Sequence, residues 1–114
     1  MRVLNCKNNQ VLVTNLRIAN TFFKRLKGLM GEKSLTEGEG LLIIPCNFIH
    51  TFFMRFPIGA VFLDNKDYVV KTMEIKPFRI SSVVYKAIKV LELPGGVIRK
   101  GLVQEGDRLI FIED

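Results

Sequence analysis

The chain has 114 residues, of which 48% are hydrophobic and 25% are charged. A chain of this length can bury a core without disulfides, and its composition is that of a soluble globular protein, which excludes a largely disordered chain. We expect residues 1–114 to form a single domain. The net charge is +6, which favours anionic partners but is also typical of a small domain that stays in solution.

The N-terminal residues lead directly into strand-like sequence, without an apolar segment of signal-peptide length. Apolar runs such as residues 41–44 are too short to cross a bilayer. We therefore expect a cytoplasmic protein with no membrane partner. Cys6 and Cys46 are then expected to be free thiols, and a disulfide between them is conceivable only if the host is a hyperthermophile.

The clearest predicted element is an amphipathic helix over residues 22–30. Asn20 or Thr21 can cap its start, and Gly31 is a better candidate for its C-cap than Gly28. Apolar side chains recur with helical spacing, while the cations fall mostly on the other face. This pattern predicts a helix that packs its phenylalanines on a sheet.

About seven short strands, separated by Gly, Pro and Asn, account for most of the remaining chain. They are predicted over residues 2–6, 10–18, 41–44, 58–64, 68–76, 87–93 and 108–113. Residues 46–57 are interpreted as a further core strand. We predict a mainly β (α+β) fold, a small, partly closed antiparallel β-barrel with the amphipathic helix packed on it.

Several motifs, taken in order, resemble one known family. They are Arg25-x-x-Gly28-Leu29-Met30, Gly40-Leu41-Leu42-Ile43, Ile49-His50-Thr51-Phe52-Phe53-Met54 with Pro57-Ile58, Val61-Phe62-Leu63-Asp64, Val90-Leu91-Glu92-Leu93-Pro94-Gly95-Gly96 and Gly101-Leu102-x-x-x-Gly106-Asp107. The chain resembles the domain of unknown function 192 family, also called uncharacterised protein family 0127, from about residue 10 to its end. This resemblance implies a small β-rich domain without an established activity, so it supplies no catalytic residues.

One position departs from the family pattern. Family members usually carry an Asp two residues after the matching proline, and this chain has Gly59 there. If that carboxylate were catalytic or a metal ligand in the family, this protein would lack it.

Residues 46–57 combine four of the nine phenylalanines with the only histidine and an arginine. As a strand, this stretch would place His50 and Arg55 on opposite faces. A histidine in an apolar run is typical either of a core residue with one satisfied hydrogen bond or of a pocket wall available for acid–base work. Cys46 and His50 alone are too few ligands for a zinc site, so we expect no metal and no cofactor.

Arginine suits carboxylate and phosphate groups, and neighbouring aromatic rings suit sugars or bases. Arg25 or Arg55 could instead form an internal salt bridge with Glu92 or Asp107. We predict a small binding module with a cleft for an anionic small molecule or glycan. Its candidate ligand-binding residues are Arg25, His50, Phe53, Met54, Arg55 and Glu92.

Two other functions are compatible with the sequence. One is a hydrolase-type enzyme in which His50 acts as general acid or base with Glu92 or Asp107 as its partner. The other is a weak nucleic-acid-binding protein, because residues 66–100 hold eight basic side chains and three acidic ones. Nucleic acid is the less favoured partner, and the oligomeric state is not predicted.

Overall fold

The computed structural model describes residues 1–113, which contain eight strands and one short helix. The elements are β1 (Arg2–Asn5), β2 (Gln10–Val13), β3 (Asn15–Ala19), α1 (Phe22–Lys27), β4 (Glu39–Ile43), β5 (Ile58–Leu63), β6 (Val69–Ile75), β7 (Lys89–Pro94) and β8 (Leu109–Ile112). The predicted mainly β (α+β) class is confirmed. Within these residues, no helix has the length and apolar content needed to cross a bilayer.

The strands form two sheets. One has the order β2-β1-β8 and is antiparallel, and the other has the order β3-β4-β7-β5-β6. In the larger sheet β3 and β4 are parallel, with α1 in the connection between them, and the remaining pairs are antiparallel. The sheets do not close into a barrel, which corrects that detail of the prediction.

A break at Thr14 explains why the predicted strand over residues 10–18 contributes to both sheets. The backbone N–H groups of Thr14 and Asn15 both donate to the carbonyl of Gly38, at 2.8 and 3.0 Å. This contact ends β2, which pairs with β1, and begins β3, which pairs with β4. One run of alternating residues is therefore divided between two sheets.

Strands β5 and β7 lie inside the larger sheet, and every residue of β5 is buried. Ala60, Phe62 and Val90 pack in a core on one face of this sheet, whereas Val61 and Leu91 pack in a core on the other. Both faces are thus covered, as expected for strands that read as continuous apolar runs.

Helix α1 is shorter than predicted. Thr21 caps it, accepting a hydrogen bond at its Oγ1 from the backbone N–H of Lys24 at 3.2 Å. Gly28, not Gly31, is the C-cap, and its N–H donates to the Lys24 carbonyl at 2.9 Å. Gly28 adopts a φ of +50°, which other residues rarely take, so the helix ends there.

The apolar side chains of α1 do not pack on the sheet, so that prediction was wrong. Phe22 and Phe23 are 63% and 77% exposed, and Leu26 is also exposed. Leu29, which follows the helix, is buried in the core instead. The helix thus ends before Leu29 enters the core, and none of its own residues is buried.

Residues 46–57 form a loop rather than the predicted core strand. Their only β-type pairing is an isolated bridge between His50 and Ile80. Phe53 has a φ of +60°, which interrupts the alternation of a strand. The loop is instead tied to residues 81–84, because Ser81 N–H donates to Ile49 and Val84 N–H donates to Asn47, both at 2.8 Å.

Candidate functional site

A cavity of about 280 Å³ lies between α1 and the loop that contains residues 45–50. Its apolar lining comes from both segments: Phe22 and Leu26 from α1, and Phe48 and Ile49 from the loop. Glu92 also lines it, from the middle of the larger sheet. Three separate parts of the chain therefore meet around one space.

Glu92 is a buried acid in this cavity. It pairs with Ala60 of β5, and because paired residues point to the same face, its side chain lies on the face of the larger sheet where Ala60 packs. The residue is only 2% exposed, and its Oε1 atom has no hydrogen-bond partner. Burial raises the pKa of Glu92 to about 8, and the nearby charge of Glu32 adds to the shift. At neutral pH the carboxyl group is thus protonated and able to donate a hydrogen bond.

Arg25 supplies a cation to the same cavity. Its Nη1 atom donates to the carbonyl of Pro45 at 3.2 Å, while its buried Nε atom has no partner. Within residues 1–113, neither Arg25 nor Arg55 forms the salt bridge to Glu92 or Asp107 that the sequence allowed. The Arg25 guanidinium therefore retains a free donor.

His50 also lines the cavity, but backbone groups occupy both of its ring nitrogens. Nδ1 accepts from the N–H of Phe52 at 3.1 Å, so in the neutral ring Nε2 carries the proton and donates to the Leu26 carbonyl at 3.1 Å. Neither carboxylate invoked for a hydrolase, Glu92 or Asp107, hydrogen-bonds to His50 in the part of the chain described. In this arrangement His50 joins the loop to α1.

The other three candidate residues lie away from the cavity. Phe53 is 64% exposed and contacts Phe78 edge to face. Met54 is buried in the core, and Arg55 is exposed to solvent. The structure thus brings together Arg25, His50 and Glu92, but not the remaining members of the predicted set.

The apolar walls Phe22, Leu26 and Phe48 are functional-site candidates that the sequence-based set omitted. The sequence did carry a signal for Phe22 and Leu26, because they share a helical face with Arg25 at the i, i+3, i+4 spacing. Phe48 had no comparable signal, because its position depends on the loop conformation.

The cysteines give this site no reactive group. Both Cys6 and Cys46 are free thiols. Cys46 lines the cavity and donates from Sγ to the Phe48 carbonyl at 2.9 Å, and burial raises the pKa of its thiol. A neutral thiol is a poor nucleophile at pH 7. Across residues 1–113, no group of three or more His, Cys, Asp or Glu is placed to hold a metal ion.

A second cavity, of about 500 Å³, lies between β2 and residues 94–102. Three side chains in the described chain have a buried polar atom without a hydrogen-bond partner: Arg25, Glu92 and Asp67. None of these lines the second cavity, and Asp67 forms a salt bridge with Lys89. Of these two cavities the smaller is therefore the better candidate site, because among the described residues only its lining includes unused polar groups.

Gly59, where the family usually has Asp, lies on the opposite face of the larger sheet from this cavity. It pairs with Leu93, which packs in the second core. A Cβ atom at Gly59 would lie 3.0 Å from Ile98 Cδ1 and 3.2 Å from Ile98 Cγ1. Ile98 thus fills the space that a side chain would need, and the missing carboxylate does not alter the Arg25–Glu92 cavity.

We expect Gly59→Asp to lower the free energy of unfolding by about 1–3 kcal/mol, because the carboxyl must displace Ile98 and become buried. In an Ile98→Ala background the same Asp should cost less, since the smaller residue leaves room for it. Urea denaturation of the four proteins in this double-mutant cycle measures the difference. An equal cost in both backgrounds would show that Ile98 does not oppose the carboxyl.

Two sheets, one short helix and a cavity over the larger sheet define a small, mostly antiparallel α+β protein. The chain belongs to the domain of unknown function 192 family, described as uncharacterized ACR, whose model matches residues 3–111. The family predicted from the sequence motifs is thereby confirmed. No activity is attached to that description.

Curated relatives carry the name UPF0127 protein. The Pyrococcus furiosus relative is 30% identical over 112 residues, which cover 94% of this chain and 95% of that protein. The Thermococcus sibiricus relative is 31% identical over 112 residues, covering 94% and 72%. The Thermococcus kodakarensis relative is 33% identical over 97 residues, covering 81% of this chain and 61% of that longer protein.

Two crystal structures share the fold. A protein of unknown function from Novosphingobium aromaticivorans superposes with a TM-score of 0.86 at 19% identity, covering 97% of this chain and 84% of that one. A candidate transcription regulator from Sinorhizobium meliloti superposes with a TM-score of 0.79, also at 19% identity, covering 96% and 89%. At such identity the likeness shows the fold alone.

Proposed function

We propose that this protein is a binding module whose Arg25–Glu92 cavity takes a small organic molecule with an anionic group. The observation that carries the proposal is the pair of unused polar groups, Arg25 Nε and Glu92 Oε1, on residues that line one cavity. A buried polar group without a partner costs about 1–3 kcal/mol. A ligand that hydrogen-bonds to both groups would remove that cost.

The two groups offer complementary chemistry. The Arg25 guanidinium carries a permanent positive charge and suits a carboxylate or phosphate oxygen. The protonated Glu92 carboxyl can donate to an oxygen of the same ligand, where an ionised one would repel it. Phe22, Leu26 and Phe48 would hold the uncharged part of the molecule.

The size of the cavity limits the ligand. At about 280 Å³ it lies just below the range of roughly 300–1,000 Å³ found for small-molecule sites. This volume suits a metabolite-sized acid or one terminal sugar unit with an anionic group. An extended glycan would need a longer groove.

Binding is better supported than catalysis by His50. A general base needs an available ring nitrogen, and backbone groups occupy both nitrogens here. The buried thiol and the protonated acid are equally unsuited to nucleophilic attack. We also propose a cytoplasmic location, supported by the two free thiols, and a single-domain organisation of this chain.

The test is a thermal-shift screen with small carboxylates, phosphates and sugar acids on the wild type and Arg25→Gln. We expect some acids to raise the Tm of the wild type, and Arg25→Gln to weaken their binding by at least about tenfold, as expected when a charged hydrogen bond is lost. Arg99→Gln is the matched control, because Arg99 is exposed and outside the cavity. It should bind like the wild type.

Two results would reject the proposal. One is a screen in which no acid stabilises the wild type. The other is an equal loss of affinity in Arg25→Gln and Arg99→Gln, which would indicate non-specific attraction by net charge rather than a site at Arg25.

A further inference from the structure

Six of the nine phenylalanines are exposed, which is unusual for the most apolar aromatic side chain. They occupy three neighbouring segments, α1, the loop 46–57 and the following loop at Phe78. We refer to these six residues as the phenylalanine face: Phe22, Phe23, Phe48, Phe52, Phe53 and Phe78. Exposed apolar patches of this kind usually mark an interaction surface.

Contacts join the three segments into one surface. Phe22 of α1 and Phe48 of the loop line the same cavity. The Phe52 ring stacks on His50, which donates to the carbonyl of Leu26 in α1. Phe53 and Phe78 are in edge-to-face contact, with ring centroids 5.7 Å apart. The exposed rings therefore form a connected set rather than scattered single residues.

The charge around these rings has one sign. Residues 20–31, 45–63 and 76–88 contain seven Lys and Arg and none of the eleven Asp and Glu. Six of these cations are exposed: Lys24, Lys27, Arg55, Lys76, Arg79 and Lys86. Within residues 1–113 none of the six forms a salt bridge, so their charges remain available to a partner.

We propose that the phenylalanine face docks on the surface of an anionic lipid bilayer. Aromatic rings and Leu enter the boundary between headgroups and acyl chains, while Lys and Arg contact anionic headgroups. Helix α1 combines both features within six residues, since it consists of Phe22, Phe23 and Leu26 together with three cations. Surface contact needs no membrane-spanning helix, so this proposal revises the expectation of no membrane partner.

Two other occupants fit less well. Single-stranded nucleic acid would use the rings for base stacking, but exposed aliphatic residues such as Leu26, Ile80 and Val83 have no role in such a surface. A second copy of the chain would bring two sets of exposed cations together without any acidic residue in the three segments. The bilayer alone matches both the aliphatic content and the charge.

The test is co-sedimentation of the protein with phosphatidylcholine vesicles that contain or lack phosphatidylglycerol. We expect binding only when phosphatidylglycerol is present, and a decrease as salt rises. Lys24→Glu/Lys27→Glu should weaken binding roughly thirtyfold or more, since each cation near an anionic surface contributes to affinity. Phe22→Ser/Phe23→Ser should weaken it by at least about tenfold, because the rings no longer enter the bilayer.

The control is Lys7→Glu/Lys33→Glu, which makes the same change in net charge at exposed positions outside the three segments. It should retain most of the binding, and circular dichroism should show that every variant is folded. The proposal is overturned if the wild type does not sediment with anionic vesicles or if both charge variants lose binding equally. It is also overturned if the protein binds single-stranded oligonucleotides instead of vesicles. The same holds if Phe22→Ser/Phe23→Ser abolishes a dimer of the protein but leaves its binding to vesicles unchanged.

Discussion

The free energy of unfolding should fall as the pH rises from about 4.5 to about 8, and Glu92→Gln should remove most of this dependence. In the unfolded chain Glu92 has the ordinary pKa of 4.5, whereas burial raises its pKa in the folded protein to about 8. Between these values the folded state keeps a proton that the unfolded state has released. The free energy of unfolding is therefore greatest at a pH below the pKa of Glu92 in the unfolded chain. It decreases as the pH rises through the pKa of Glu92 in the folded protein.

The expected effect is large. The difference between the two pKa values corresponds to an upper bound of about 5 kcal/mol, since each pH unit is worth about 1.4 kcal/mol. Glutamine has the shape of the protonated acid and cannot ionise, so the variant should become more stable than the wild type above pH 8.

Urea denaturation at intervals of about one pH unit, from pH 5 to pH 9, measures this prediction. Glu105→Gln is the control, because Glu105 is exposed and should leave the profile unchanged. Other titrating groups are common to the wild type and Glu92→Gln, so the difference between their curves isolates Glu92. Parallel curves for these two proteins would show that Glu92 is not a protonated buried acid.

Thr51→Val should lower the free energy of unfolding by about 2–4 kcal/mol, since it leaves two partly buried backbone groups without these partners. Thr51 is fully buried, and its Oγ1 donates to the Lys76 carbonyl at 2.6 Å and accepts from the Arg79 N–H at 2.8 Å. Valine fills the same space but can do neither. This side chain therefore holds the loop 46–57 against the chain that follows β6.

Thr51→Ser is the matched variant for this prediction. It keeps the hydroxyl and loses one methyl group, which should cost about 1 kcal/mol. Denaturation of the three proteins under the same conditions gives the comparison. A smaller loss for Val than for Ser would mean that methyl packing, rather than the hydrogen bonds of Thr51, anchors the loop.

The sequence predicted most of the larger sheet because its strands carry their own signals. Strands β5 and β7 are apolar runs bounded by proline and polar turn residues, and such runs are buried wherever they are placed. The sequence could not predict that the sheets stay open. The strand over residues 10–18 is divided at Thr14, and this division depends on a backbone contact with Gly38.

Residues 46–57 could not be assigned correctly for a similar reason. Their alternating apolar residues are typical of a strand, but the left-handed backbone at Phe53 and the buried hydroxyl of Thr51 favour a loop. Both features arise from tertiary contacts. The packing of helix α1 on the sheet was predicted wrongly for a different reason. An amphipathic pattern indicates that one face of a helix is apolar, but it does not indicate that the same chain covers that face.

The candidate site was predicted only in part. Arg25, His50 and Glu92 were named for their chemistry, and the fold brings all three to one cavity from a helix, a loop and a strand. The burial of Glu92 could not be foreseen, because an acid is usually solvated even when, as here, it lies between apolar residues of a strand. Arg55 was predicted for the same chemistry as Arg25, and Phe53 and Met54 belong to the same aromatic stretch, but the loop directs all three away from the cavity.

An NMR titration tests the central claim, that the Arg25–Glu92 cavity binds a small organic acid, most directly. A stabilising acid from the screen would be added to ¹⁵N-labelled wild type and Arg25→Gln. We expect backbone amide shifts concentrated at the cavity, at Leu26, Gly28 and Ile49, and their loss in Arg25→Gln. Shifts concentrated instead at Val97 and Leu102 of the second cavity, or unchanged in Arg25→Gln, would contradict the claim.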